Sequence, residues 1–294
     1  MITAAPAKGL IALLRLPYWL MTGGLSVLTA FAIAFAITKP ALSLNIQTPL
    51  LIFFSMAFIT SAGFAINDYF DRESDALIKP NRPIPSGALS LKQVIAVSGV
   101  LFTVGLIMAA YINWLSFAII VADSLLLIVY STLVKRKSGF VANVLVGILT
   151  GTAFMYGEAT VLGTVSLISL SLYPIAFGTI GGNVLRDILS VEGDSKVGYP
   201  TLPQKIGSAK SAKVAALFFT LTGVFAPLPY FIGQSTLYYL PFILLWSVLL
   251  VYSSIRLATS AFTIQNVRKY ERLVTMSMIL LPLALIVEAI LGVL

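Results

Sequence analysis

Residues Thr48 to Asp75 read TPLLIFFSMAFITSAGFAINDYFDRESD. The first twenty of these carry no charge, enough to cross a bilayer as a helix, which takes about 20 mostly apolar residues. Four of the next eight are acidic. An apolar run that ends in a burst of carboxylates is the pattern to explain. The rest of the chain supports a lipid environment for that run. Of 294 residues, 59% are hydrophobic and 10% charged, against about 45–50% and about 25% in a soluble domain. Mean hydropathy is +0.98. A chain with so little charge cannot cover a water-facing surface.

Eight further runs resemble the first, and together they predict an all-α integral membrane protein. Its nine spans lie at roughly 17–38, 48–67, 93–112, 115–134, 141–160, 164–185, 213–233, 237–258 and 274–294. They form a single multi-pass unit over residues 1–294 around a central cavity. The N-terminal run is too long for a signal-peptide core and reads as a retained helix. With the N-terminus in the cytoplasm and the C-terminus outside, eighteen of the nineteen lysines and arginines face the cytoplasm, and only Lys39 does not. Cytoplasmic loops carry this excess of positive charge. The net charge of +8 is therefore topological, and no nucleic-acid partner is expected. Gly147 with Gly151, and Gly178 with Gly182, sit four apart inside spans, a spacing expected to serve close helix packing.

Histidine and cysteine are both absent. That excludes imidazole bases, thiol nucleophiles, disulfides and nitrogen or sulfur metal sites. Seven of the eleven acids fall in two windows, Asp68–Asp75 and Asp187–Asp194. Each window begins at the cytoplasmic end of a span. Asn67, Asp71 and Asp75 share one helix face at i, i+4 and i+8, and Asp187, Ser190 and Asp194 share another. Asn183 and Asp187 repeat the spacing of Asn67 and Asp71. Like charges stacked on one face persist where a cation neutralises them. Oxygen-only ligands point to a hard ion, and Mg²⁺ takes one or two carboxylates and completes its shell with water and phosphate oxygens. Arg72, Lys79, Arg82, Lys135, Arg136 and Arg186 surround the two clusters. Topology accounts for each alone; beside two acidic clusters some should meet phosphate, Arg82 and Lys135 first.

Asn67-Asp68-Tyr69-Phe70-Asp71-Arg72-Glu73-Ser74-Asp75, continuing to Asn81-Arg82-Pro83-Ile84-Pro85-Ser86-Gly87, resembles the first motif of the UbiA superfamily of intramembrane prenyltransferases. Tyr130-Ser131, Lys135-Arg136 and Asn143 resemble its span 4 to span 5 junction. Arg186-Asp187 to Gly193-Asp194, ending in Thr201-Leu202-Pro203, resembles its second motif. The resemblance covers nearly the whole chain. It implies a multi-pass enzyme of the cell membrane, active toward the cytoplasm, that joins a prenyl diphosphate to a lipid-soluble acceptor among membrane lipids. It implies that Asn67, Asp71, Asp75, Asp187 and Asp194 hold Mg²⁺ on the diphosphate, with Asp68 a further candidate ligand or a supporting group. Asp71, Asp187, Lys135 and Tyr130 are the implied catalytic groups. Arg82, Arg72, Lys79, Arg136, Asn143 and Arg186 are the implied substrate-binding groups. Ser190 stands where members of the archaeal lipid branch often carry an acid. That branch is nonetheless the most similar, and it implies transfer of a geranylgeranyl-type group to geranylgeranylglyceryl phosphate. An aromatic acceptor of the quinone or chlorophyll type is the alternative within the family, and a membrane transporter is a distant one.

Four acids, Asp123, Glu158, Glu271 and Glu288, stand apart from the motifs. Asp123 lies mid-span, seven residues before Tyr130 and on the same face; it is expected either to line the cavity as a base or to bond a neighbouring helix. Glu158 and Glu288 are expected on a solvated outer rim. If the metal assignment is right, Asp71→Ala and Asp187→Ala each lower the transfer rate by at least about 100-fold, the scale of losing one element of a preorganised electrostatic site. A loss under about threefold in steady-state turnover would refute it.

Overall fold

The computed structural model describes residues 4–38 and 46–292. Nine helical stretches among them are long and apolar enough to cross a membrane. In chain order, spans 1 to 9 are Pro6–Ala34, Gln47–Phe70, Leu91–Ile112, Trp114–Lys137, Gly139–Leu162, Leu167–Lys196, Ser208–Phe231, Leu240–Thr259 and Ile264–Leu291. No strand occurs among the described residues. The expected count and class hold. Lys39, and the last two residues of the predicted span 274–294, lie outside the described residues.

Three boundaries differ from the apolar runs by about ten residues. Span 1 starts at Pro6, span 6 continues to Lys196, and span 9 starts at Ile264. The turns added to spans 6 and 9 are mostly polar, so hydropathy does not detect them, yet they continue the helix; those added to span 1 are largely apolar, interrupted by Lys8 and Arg15. In span 6 this extension carries the whole second acidic motif. Short polar caps set the starts. Ser90 and Gln93 form a reciprocal capping box at span 3, and Asn113 and Ser138 accept backbone N–H bonds at the starts of spans 4 and 5.

Neighbours in sequence pack side by side from span 2 through to span 9. Span 9 returns to span 1, and span 1 closes the ring on span 2 while lying along span 5. The contact between spans 1 and 5 divides the bundle into two lobes, each with its own apolar cluster, one around Ile52, Ile59, Ile120 and Tyr156, the other around Phe154, Leu185, Phe219 and Trp246. Lipid offers no hydrophobic drive between helices, so close approach depends on small residues. A Cβ at Gly157 would lie 2.5 Å from the Ser26 carbonyl oxygen across the two lobes. Gly147 and Gly151 press on Ile180 and Tyr173 as expected. Gly178 and Gly182 do not: Thr222 is 3.4 Å away at its nearest, and Gly182 meets only Arg186 of its own helix. The close contact there belongs to Gly181, against Phe219 and the Ala215 carbonyl.

Glu158 and Glu288 are not on a solvated rim. They are 0% and 4% exposed. Glu158 accepts from Ser166 and Ser169, through both their N–H and hydroxyl groups, at the start of span 6. Glu288 accepts from the Thr236 N–H at 2.7 Å and its hydroxyl at 2.8 Å. Both carboxylates satisfy donors left open where the chain turns, so burial costs them little.

Gly157→Ala should lower the detergent melting midpoint through overpacking of about 1–3 kcal/mol. Gly99→Ala, whose Cβ meets nothing within 4 Å, should leave it unchanged or raise it. Equal midpoints for the two variants would contradict the close contact of spans 1 and 5.

Candidate active site

The polar residues of the two motifs gather at one end of the bundle. Span 2 ends at Phe70, and Asp71 caps it with φ −86° and ψ 0° before a short helix Arg72–Ile78 resumes. The break turns Asp71 toward span 4. Span 4 widens into a π-turn over Tyr130–Val134 immediately before Lys135, and such bulges re-aim side chains. Lys135 donates from Nζ to Asp71 Oδ2. Asn67 Nδ2 donates to the same oxygen at 2.8 Å. The other oxygen, Oδ1, accepts from the Tyr199 hydroxyl at 2.6 Å. Tyr199 lies beyond the second motif, so the loop between spans 6 and 7 reaches back across the site. Its ring lies under Lys135, with Nζ 4.8 Å from the centroid, and its hydroxyl is 2.9 Å from Ser74 Oγ. Burial first, and then the bond to Asp71, push the Tyr199 hydroxyl up, so it stays a donor.

The second motif occupies the next helix. Asn143 Nδ2 of span 5 donates to Asp187 Oδ2 at 2.8 Å. Ser190 Oγ donates to Asp194 Oδ2 at 2.6 Å. The charges of Asp71 and Asp187 both act on Tyr130, and the charge of Lys135 acts on Asp187. These groups therefore share one electrostatic environment. Gly139 N–H donates to the Pro200 carbonyl at 3.0 Å, which fixes the loop against span 5.

Asp68 points elsewhere. Its Oδ1 accepts from Arg15 at 2.5 Å and from Arg82 at 2.6 Å, and Arg82 also reaches Asp75 Oδ2 at 2.8 Å. Asp68 Oδ2 is buried without a hydrogen-bond partner among the described residues. Arg15 has φ 49°, a left-handed conformation that costs a non-glycine residue about 1–2 kcal/mol. Its guanidinium lies 4.2 Å over the Phe64 ring. The carbonyl of Leu14, freed by this break, accepts from Trp19 Nε1 at 3.2 Å and Ser61 Oγ at 2.7 Å. Partial burial, and then the charge of Arg82, hold the Lys79 ammonium below the usual lysine range.

The remaining predicted residues take other partners. Arg72 donates to the Tyr69 carbonyl and pairs with exposed Glu73. Arg136 donates to the Phe70 carbonyl at 3.2 Å. Arg186 donates to Asn183 Oδ1 at 2.7 Å and lies 3.6 Å from Glu271 of span 9. Asp123 accepts from the Thr152 hydroxyl of span 5 at 2.8 Å, the helix-bonding role of the two expected for it. Two groups escaped the sequence reading. Arg15 reads from the sequence as a topology residue and as part of Leu14-Arg15-Leu16, which resembles the family's N-terminal stretch, with nothing in either to pair it with Asp68. Tyr199 carries no local signal; only folding brings it to Asp71.

Among the described residues, no three carboxylates converge to hold a metal by themselves. The donors that remain are all oxygens, and Asn67 Oδ1 is buried with no hydrogen-bond partner among the described residues. Such a set fits an ion that arrives with part of its coordination supplied by substrate phosphate and water.

A helical membrane bundle with this polar end is an intramembrane prenyltransferase. Residues 16–280 match the model of the UbiA prenyltransferase family, and the chain belongs to that family. It is 35% identical to digeranylgeranylglyceryl phosphate synthase of Natronomonas pharaonis over 226 residues, covering 77% of this chain and 79% of that one. A solved structure of digeranylgeranylglyceryl phosphate synthase superposes with TM-score 0.80 at 28% identity, covering 97% of this chain and 99% of the other. A UbiA homologue from Archaeoglobus fulgidus, solved with DMAPP and Mg²⁺ bound, shares the fold at TM-score 0.64 and 19% identity, over 94% of this chain and 98% of its own.

Tyr199→Phe removes one bond to a charged group, worth about 1.5–3 kcal/mol. The melting midpoint in EDTA should fall; an unchanged midpoint would show that the Tyr199–Asp71 bond does not form in solution.

Proposed function

We propose that the protein transfers a geranylgeranyl-type group from its diphosphate to the hydroxyl of geranylgeranylglyceryl phosphate, with Mg²⁺ as cofactor, at the cytoplasmic face of the cell membrane. One observation carries this reading. Lys135 and Tyr199 meet on Asp71, while Asn143 holds Asp187, so the two acidic motifs stand at the same polar end. The acceptor is supported by the digeranylgeranylglyceryl phosphate synthases to which the chain is similar. The cofactor is supported by the oxygen-only donors and by the Mg²⁺ and DMAPP bound in the Archaeoglobus fulgidus homologue. The orientation is supported by the basic residues, which follow the positive-inside pattern.

In this reading Asn67, Asp71 and Asp75 hold the ion on one side, and Asp187 and Asp194 on the other. Asp68 keeps Arg15 and Arg82 in place. The bound ion neutralises the diphosphate as the allylic C–O bond breaks. Lys135 presents an ammonium with three donors to the leaving oxygens, and Tyr130 adds a hydroxyl. Asn143 fixes the rotamer of Asp187. The allylic carbon then bonds to the acceptor oxygen, and the hydroxyl proton passes to the released diphosphate. The apolar walls of the spans keep water from the carbocation. The single unit over residues 1–294 supplies all of these groups.

Purified protein with geranylgeranyl diphosphate and Mg²⁺ should form an ether product from geranylgeranylglyceryl phosphate and none from 4-hydroxybenzoate, and EDTA should abolish it. Product from 4-hydroxybenzoate alone would move the function to aromatic prenylation. No product from either would overturn the prenyl-transfer reading.

A further inference from the structure

A cavity of about 430 Å³ opens between the start of span 1 and the turn that follows helix Arg72–Ile78. Its walls include Arg15, Asp68, Lys79 and Arg82, with Ala12 and Ile78 at the apolar side. Ligand sites typically enclose about 300–1,000 Å³. We propose that this cavity binds the phosphate monoester of the acceptor, apart from the site of the diphosphate. The proposal rests on the acceptor reading above.

Charge is the first argument. Arg15, Lys79 and Arg82 bring three cations to the cavity, and the carboxylates that touch them are Asp68 and Asp75. One positive charge is left over. It belongs to Lys79, whose ammonium makes no ion pair or hydrogen bond among the described residues. A phosphate monoester carries about −1.5 to −2 at pH 7. It can take the Lys79 ammonium and the outward N–H groups of two guanidiniums, whose five donors each exceed what Asp68 and Asp75 accept.

Position is the second. Asp68 follows Asn67 by one residue, so it faces about 100° away from the Asn67, Asp71 and Asp75 face. The cavity on its side is thus separate from the carboxylates proposed to hold the diphosphate. It is also adjacent to them: Arg82 spans Asp68 and Asp75, and the charge of Arg15 acts on Tyr130. In geranylgeranylglyceryl phosphate the free hydroxyl and the phosphate sit on neighbouring carbons of one glycerol. Its phosphate subsite must therefore adjoin the reacting centre without overlapping it, which is where this cavity lies. Ala12 and Ile78 give the cavity an apolar side.

The probe is glycerol 1-phosphate, titrated by phosphorus NMR into the full-length protein in detergent with EDTA and no prenyl diphosphate. Wild type should bind it saturably, and Lys79→Gln should bind it about tenfold more weakly, the scale of one charged contact. Glycerophosphoglycerol, a diester like membrane phospholipid, should bind no better to wild type than to the variant. In turnover, Lys79→Gln should raise KM for the phosphorylated acceptor about tenfold and leave KM for the prenyl diphosphate within about twofold. Equal binding of glycerol 1-phosphate by the two proteins overturns the proposal. So does diester binding as tight as monoester binding, which would make the cavity a lipid-headgroup site. If the variant loses glycerol 1-phosphate while wild type forms no ether product, the subsite stands and the acceptor reading falls.

Discussion

The bond between Lys135 and Asp71 organises the polar end of this molecule. Span 2 ends where Asp71 turns out of the helix, and span 4 loosens into a π-turn just before Lys135. Neither distortion is favourable alone. Together they place a carboxylate and an ammonium face to face at the edge of a bilayer, where an unpaired charge of either sign would be costly. Tyr199 then joins the pair from the far side of the second motif, so three separate parts of the chain meet on one carboxyl group. Asn143, Asp187 and Tyr130 sit within the field of that pair.

Much of this was legible before any coordinates. The nine spans follow from apolar run length and basic residue placement. The alignment of Asn67 with Asp71 follows from helical period, and they are bonded as that period requires. What the sequence concealed is mostly what the bilayer does not dictate. The polar extensions of spans 6 and 9 are helical because backbone bonding continues past the point where hydropathy fails. Glu158 and Glu288 looked like rim residues because a lone glutamate near a span end usually meets water. Here open backbone donors captured them. Arg186 adjoins Asp187 in sequence, but one residue along a helix is a different face, and its side chain meets Asn183 and Glu271. Tyr199 could not be found at all, because its partner is distant in sequence and no periodicity links them.

The junction at Arg15 shows how a local strain is held. A left-handed arginine is unfavourable by itself. The salt bridge to Asp68, the Phe64 ring beneath the guanidinium and the two donors on the Leu14 carbonyl compensate. The result is a sharp break that brings a guanidinium over the first motif and keeps the apolar remainder of span 1 along span 5. A continuous helix would carry the same side chain away from the site.

The two ends of the bundle differ in how they satisfy carboxylates. At the polar end guanidinium and ammonium groups do it; at the opposite end Glu158 and Glu288 rely on N–H and hydroxyl donors, with no cation in contact among the described residues. The molecule therefore has an electrical axis along its helices, positive at the end that carries the motifs. Such a field extends into solvent over about a Debye length, roughly 8–10 Å at moderate salt. It concentrates anions at that mouth before any contact forms. A mouth with that charge thus draws phosphorylated compounds from the water and from the neighbouring lipid surface.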